Sequence, residues 1–158
     1  MNTIVVGYDD TEPSKRALER AADLAEKFDS RLLVTSVAPV MIPSGHGTAG
    51  IDPTDTPKQH EAELERAQIY LAGRNLSAEL QPAIGDPAET IVEVAERNGA
   101  TLIVVGTRQP SIMERLLGMS VSGAVSRHAQ CDVLIVHQEG IGRETSFSSP
   151  IGLPADGG

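Results

Sequence analysis

Four short apolar runs, Thr3–Tyr8 (TIVVGY), Arg31–Val37 (RLLVTSV), Thr101–Val105 (TLIVV) and Asp132–His137 (DVLIVH), recur along the chain between stretches of helical periodicity. Each is short for a helix, rich in β-branched residues and bounded by turn formers, the pattern of a buried strand. TIVVGY and TLIVV show no polar alternation, so both faces of those strands must be covered. A fifth strand is predicted where Leu76, Ala78 and Leu80 alternate with Ser77, Glu79 and Gln81, a period of two that suits a sheet edge with one wet face. Between the runs, Ala17, Leu18, Ala21, Leu24, Ala25 and Phe28 recur at helical spacing, with Thr11 at the N-cap position and Pro13 in the first turn. A second helix is expected over Lys58–Arg74, with Ala62, Ala67 and Leu71 facing inward. A third runs from the Gly85-Asp86-Pro87 turn to Arg97, carrying Ala88, Ile91, Val92 and Ala95 on its apolar side, and a fourth over Val121–His128.

Strands that alternate with helices need long crossovers, and long crossovers return the chain to the same sheet edge in a parallel sense. The expectation is a single α/β domain over 1–138: an open, five-stranded, mainly parallel, Rossmann-like sheet with helices on both faces. Ligands in such sheets bind beyond the carboxyl ends of the strands, where the strand order reverses. The loops after the first, second and fourth strands are therefore the ones that matter. The segment 38–57 contains Pro39, Pro43, Pro53 and Pro57 with Gly45, Gly47 and Gly50, and reads as a long, irregular, lid-like loop. Residues 139–158, rich in Gly, Ser and Pro, read as a flexible tail.

Charge and composition narrow the choice of partner. Thirteen Lys and Arg against 22 Asp and Glu give a net charge of −9, which leaves no broad basic surface for a nucleic-acid backbone or an anionic membrane. No stretch approaches the roughly 18 consecutive apolar residues of a membrane span. Cys131 is the single cysteine, so no internal disulfide or CxxC pair exists, and a cytoplasmic protein is the expectation. His46, His60, His128 and His137 lack the spacing that would join them into a metal site, and surface or capping roles are expected for them. GTRQPS lacks the ending of a P-loop, and GYDDTE stands where a dinucleotide fingerprint would need GxGxxG.

Three segments, IVVGYDDTEPSKRAL, GDPAETIVEVAERNGATLIVVGTR and SVSGAVSRHAQCDVLIVH, resemble the universal stress protein family over residues 2–137. The resemblance implies the strand order 3-2-1-4-5 and an adenine-nucleotide site, with ATP or another adenine nucleotide as ligand, room for a Mg ion beside it, and no structural metal. By resemblance Gly7, Tyr8 and Asp9 form the end of the first strand at the site, with Asp9 near the ribose, and Val37 lines the adenine pocket. Val105, Gly106, Arg108 and Gly118 follow on the fourth strand and its loop, and Ser120, Val121 and Ser122 open the last helix. The family's phosphate motif is a glycine, two residues, a glycine, nine residues, then glycine and Ser or Thr. Laid on Gly106 and Ser120, it meets Gln109 and Met119 at its second and third glycines. Glycine there permits positive φ and close approach of peptide N–H groups to phosphate; Gln109, held before Pro110, and Met119 do neither well.

A binding module with at most slow ATP hydrolysis is expected, because no carboxylate, histidine or metal cluster is placed to activate water. The alternative is a stress-response interaction protein that does not bind ATP and works through its dimer and loop surfaces. A flavin or electron-transfer subunit is a more remote third reading. The resemblance also implies a homodimer formed through the fifth strand, using Val133, Leu134, Ile135 and Val136, which would cover an apolar edge that is otherwise an aggregation hazard.

Overall fold

The computed structural model of the chain describes residues 2–40, 56–107 and 120–137. The elements run β1 (Thr3–Gly7), α1 (Glu12–Phe28), β2 (Arg31–Ala38), α2 (Pro57–Gly73), β3 (Glu79–Ile84), α3 (Pro87–Arg97), β4 (Leu102–Thr107), α4 (Val121–His128) and β5 (Asp132–His137). The strands form one sheet in the order β3-β2-β1-β4-β5, and every described pairing is parallel. β1 is central: Val6 lies opposite Val34 of β2 and Val104 of β4.

Alternation along these strands divides the core in two. Ile4, Val6, Leu32, Val34 and Val104 meet α1 and α2 through Ala17, Leu18, Ala21, Leu64, Ala67 and Leu71. Val5, Leu33, Ile103 and Val105 meet α3 and α4 through Ala88, Ile91, Val92, Ala95 and Val125. Two helices thus cover each face. The small alanines let the helices approach the sheet closely, and each fully buried Val, Leu or Ile contributes about 1.5–3 kcal/mol of transfer free energy. Ala62, expected to point inward, is only half-buried; Glu63 and Leu64 take the buried positions beside it.

The third strand begins later than its alternation predicts. Asn75, at φ +58°, turns the chain back, and the Leu76 N–H donates to the Leu71 carbonyl (3.0 Å), so these residues close α2 before the strand starts. Leu76 and Ala78 still pack on the core from this extended approach. β3 is the sheet edge beyond β2, where Pro82 is tolerated because only one side of the strand is paired. The middle of the expected loop at 38–57 and the whole tail at 139–158 lie outside the described residues.

Candidate functional site

The strand order reverses between β1 and β4, whose carboxyl ends lie side by side, with β2 next to β1. Beyond β1 the chain makes a tight polar turn into α1. The Thr11 N–H donates to Asp9 Oδ1 (3.1 Å), as does the Thr11 hydroxyl, so one carboxylate oxygen of Asp9 fixes the start of the helix. Among the described residues the second oxygen, Oδ2, has no partner. The Asp9 N–H donates to Ser14 Oγ (3.3 Å), whose hydroxyl donates to the Thr11 carbonyl (3.0 Å). Thr11 holds the N-cap position as expected but makes no side-chain cap bond, Asp9 having claimed its hydroxyl.

Other predicted residues take structural places. Tyr8 is buried, and its ring belongs to the core under α1 and α2. Its hydroxyl donates to Asp10 Oδ1 (2.9 Å), and burial first, then that hydrogen bond and the negative charge of Asp10, push its pKa well above the usual tyrosine range. Asp10, at φ +59°, also receives Arg66 Nη1 of α2 on Oδ2 (2.9 Å), with Lys15 Nζ 3.8 Å from Oδ1. Asp10 is thus a hub tying β1, α1 and α2. Gly7 lies under Ile91 and Val105, and a side chain there would press on Ile91. Gly106 has a stronger constraint: a Cβ would stand 2.3 Å from the carbonyl carbon and oxygen of Pro13, so the first turn of α1 fits against β4 only because this residue lacks one. Val37 and Val105 are buried in the α3 side of the core, at or near the last residues of their strands.

The last helix opens as the sequence implied. Ser120 is the N-cap of α4, with extended φ and ψ, and its Oγ accepts from the Gly123 N–H (3.1 Å). A Cβ at position 123 would stand 2.7 Å from that oxygen, so Gly123 leaves room for the cap. Position dictates that the N–H groups of Val121 and Ser122 have no carbonyl four residues back. Ser122 is buried and Val121 exposed. Arg108 and Gly118, with Gln109, Pro110 and Met119, lie outside the described residues. Among the described residues no group of three His, Cys, Asp or Glu side chains could hold a metal ion, and no helix is long and apolar enough to cross a membrane. Burial raises the pKa of the Cys131 thiol, which opposes a reactive thiolate.

One cluster escaped the sequence. Ser36 on β2 and His60 and Glu63 on α2 are all buried, and their polar atoms converge: Ser36 Oγ lies 2.6 Å from His60 Nδ1 and donates to Glu63 Oε2 (2.7 Å), with Nδ1 3.0 Å from Oε2. The expected surface or capping role of His60 is therefore overturned. The signal was its register: His60 shares the inward stripe of Leu64, Ala67 and Leu71.

β5 is the outer strand beside β4, with Leu134 exposed and Val133, Ile135 and Val136 half-buried. An open groove of about 1000 Å³ borders it, with Lys15 and Arg20 of α1 on one wall and Leu134 and Val136 on the other. This groove lies on the α1 side of β5, away from the α4 start.

A parallel α/β sheet in this order, with its polar turns gathered at one end, defines a doubly wound domain built to present a site at its strand ends. The chain belongs to the universal stress protein family, which it matches over residues 1–137. It is 37% identical over 146 residues to the universal stress protein Rv1636 of Mycobacterium tuberculosis, covering 85% of this chain and 95% of that one. The universal stress protein YxiE of Bacillus subtilis is 30% identical over 145 residues, covering 85% of this chain and 98% of the relative. Among solved structures, a universal stress protein in complex with cAMP superposes with a TM-score of 0.71 at 29% identity, covering 87% of this chain and 98% of its own.

Proposed function

We propose that this chain is an adenine-nucleotide-binding stress-response module whose ligand lies across the carboxyl ends of β1, β2 and β4. The observation that carries the reading is the pairing of a free carboxylate oxygen on Asp9 with an open, Ser120-capped helix start on α4. A ribose hydroxyl can donate to Asp9 Oδ2, and the N–H groups of Val121 and Ser122 can receive an anion, favoured by the helix dipole. Val37 offers the apolar wall an adenine needs. The relative solved with cAMP supports the same ligand class.

The replacements at Gln109 and Met119 favour a mononucleotide with one phosphate, AMP or cyclic AMP, over ATP with or without Mg, since fewer peptide N–H groups are then required. Nothing at the strand ends supplies a general base aimed at a phosphate, so the role is binding rather than turnover. Calorimetric titration with AMP, cyclic AMP and ATP tests this. Binding of AMP or cyclic AMP tighter than ATP, weakened about tenfold or more by Asp9→Ala, is expected from loss of a charge-assisted hydrogen bond. No heat with any of the three would leave the second reading, an interaction protein without a nucleotide, which the packing role of Gly106 already favours in part. We read the β5 edge, through Val133, Leu134, Ile135 and Val136, as the surface of a homodimer. Light scattering should return a dimer mass, and a monomer at micromolar concentration would overturn it.

A further inference from the structure

The Ser36–His60–Glu63 triangle is the one buried polar cluster that the proposed site does not use, and it stands where α2 first meets the end of β2, one residue before Val37. Its three edges are all of hydrogen-bond length. Two hydrogens satisfy them: the Ser36 hydroxyl donates to Glu63 Oε2, and an Nδ1–H on His60 faces both Ser36 Oγ and Oε2. That arrangement leaves the next proton to enter at Nε2. Entry there places a full positive charge on a ring whose other nitrogen is 3.0 Å from the carboxylate.

We propose that the triangle is a proton-responsive clasp: uptake of a proton by His60 converts a neutral hydrogen bond to Glu63 into an ion pair and seats the first two turns of α2 more firmly on β2. Imidazole is the side chain whose charge ordinarily changes between about pH 5 and 8. The surroundings concentrate the effect on Glu63. From α2, the next charged group is Arg66, already held by Asp10. From the end of β1 come the Tyr8 phenol, whose pKa the Glu63 charge helps to raise, and Asp10. From β3, the face that carries Leu80 toward α2 continues with Pro82 and Ile84 and bears no titratable group, while Glu79 is paired with Arg31. From α1, the ion pairs of Asp23 and Glu26 with Arg74 sit at the far end of α2. The clasp does not depend on a nucleotide, and it is tested on the ligand-free chain.

The experiment is amide hydrogen exchange, corrected for intrinsic rates, over residues 57–64 of α2 and 87–97 of α3 between about pH 8 and pH 6. In the parent, protection over 57–64 should rise about fivefold on acidification, the size of step expected when a neutral hydrogen bond becomes charge-assisted, while α3 stays level. His60→Asn keeps an N–H near the Nδ1 position and does not titrate; its α2 protection should be independent of pH. Glu63→Gln keeps the shape and removes the charge, and should likewise abolish the rise, which keeps the test decisive if His60→Asn fails to fold. A parent whose α2 shows no rise, a rise equal in α2 and α3, or a rise that survives in either variant would overturn the proposal.

Discussion

α2 and α3 lie on opposite faces of the same sheet, each beginning with a proline behind a side-chain cap, and each burying five residues. Their buried sets differ in kind. α3 buries Ala88, Ile91, Val92, Val94 and Ala95, an apolar stripe with no polar atom to satisfy. α2 buries Leu64, Ala67 and Leu71 together with His60 and Glu63, and adds the Arg66–Asp10 contact at its rim. An apolar stripe is held by area removed from water and tolerates small slides. A polar triangle is held by geometry, and a helix carrying one has a single seat. The sheet therefore has one face built for adhesion and one built for position, and the positioned helix is the one that starts where the β2 end meets the candidate site.

The largest effect should fall on α3. Ile91 is buried and its Cδ1 fills the space over Gly7, so Ile91→Ala leaves a cavity that neither a glycine nor the rigid sheet can close. A loss of about 2–5 kcal/mol in chemical denaturation is expected. On α2, Glu63→Ala should lose less, about 1–3 kcal/mol, chiefly because Ser36 and His60 would remain buried with their acceptor gone. The comparison is sharpened by replacing all three at once. Ser36→Ala with His60→Leu and Glu63→Met should recover most of the loss, because an apolar replacement of a buried polar group is often neutral or stabilising. A triple variant as unstable as Glu63→Ala would show that the triangle itself holds the fold, and that the contrast between the faces is wrong.

Most of this architecture was legible because strand burial and helix spacing are local properties. TIVVGY and TLIVV announce β1 and β4 through the absence of polar residues, and DVLIVH and VSGAVSRH match β5 and α4 to the residue. The Ser120 cap was equally readable, since it needs only its own helix. What failed were features that depend on tertiary partners. Leu76 has the alternation of a strand, yet its N–H closes a helix because Asn75 reverses the chain. His60 has no ligand-like neighbour in sequence spacing, and its partner Ser36 is brought to it by the β2–α2 crossover. Gly106 resembles a phosphate-loop glycine, while the structure gives it a second reason to be there in the backbone of Pro13. Of the site, Asp9 and Ser120 could be placed from sequence; that one oxygen of Asp9 is already spent on Thr11 could not.

The smallest expected effects come from the features the two helices share. Asp86 Oδ1 accepts from the Glu89 N–H at 3.0 Å, and the side chain of Thr56 accepts from the Gln59 N–H at 3.3 Å, so each helix has one first-turn donor satisfied by its cap. Removing a cap should destabilise by about 0.5–2 kcal/mol whichever face the helix covers. Asp86→Ala should fall nearer the upper end, because its carboxylate also interacts with the positive end of the helix dipole, and Thr56→Ala nearer the lower. The two losses, measured by urea denaturation, should each be smaller than that of Ile91→Ala. If Thr56→Ala instead unfolded the domain as readily as Ile91→Ala, the start of α2 would be held by its cap rather than by the buried triangle behind it, and the division of labour between the two faces would have to be redrawn at residue 56.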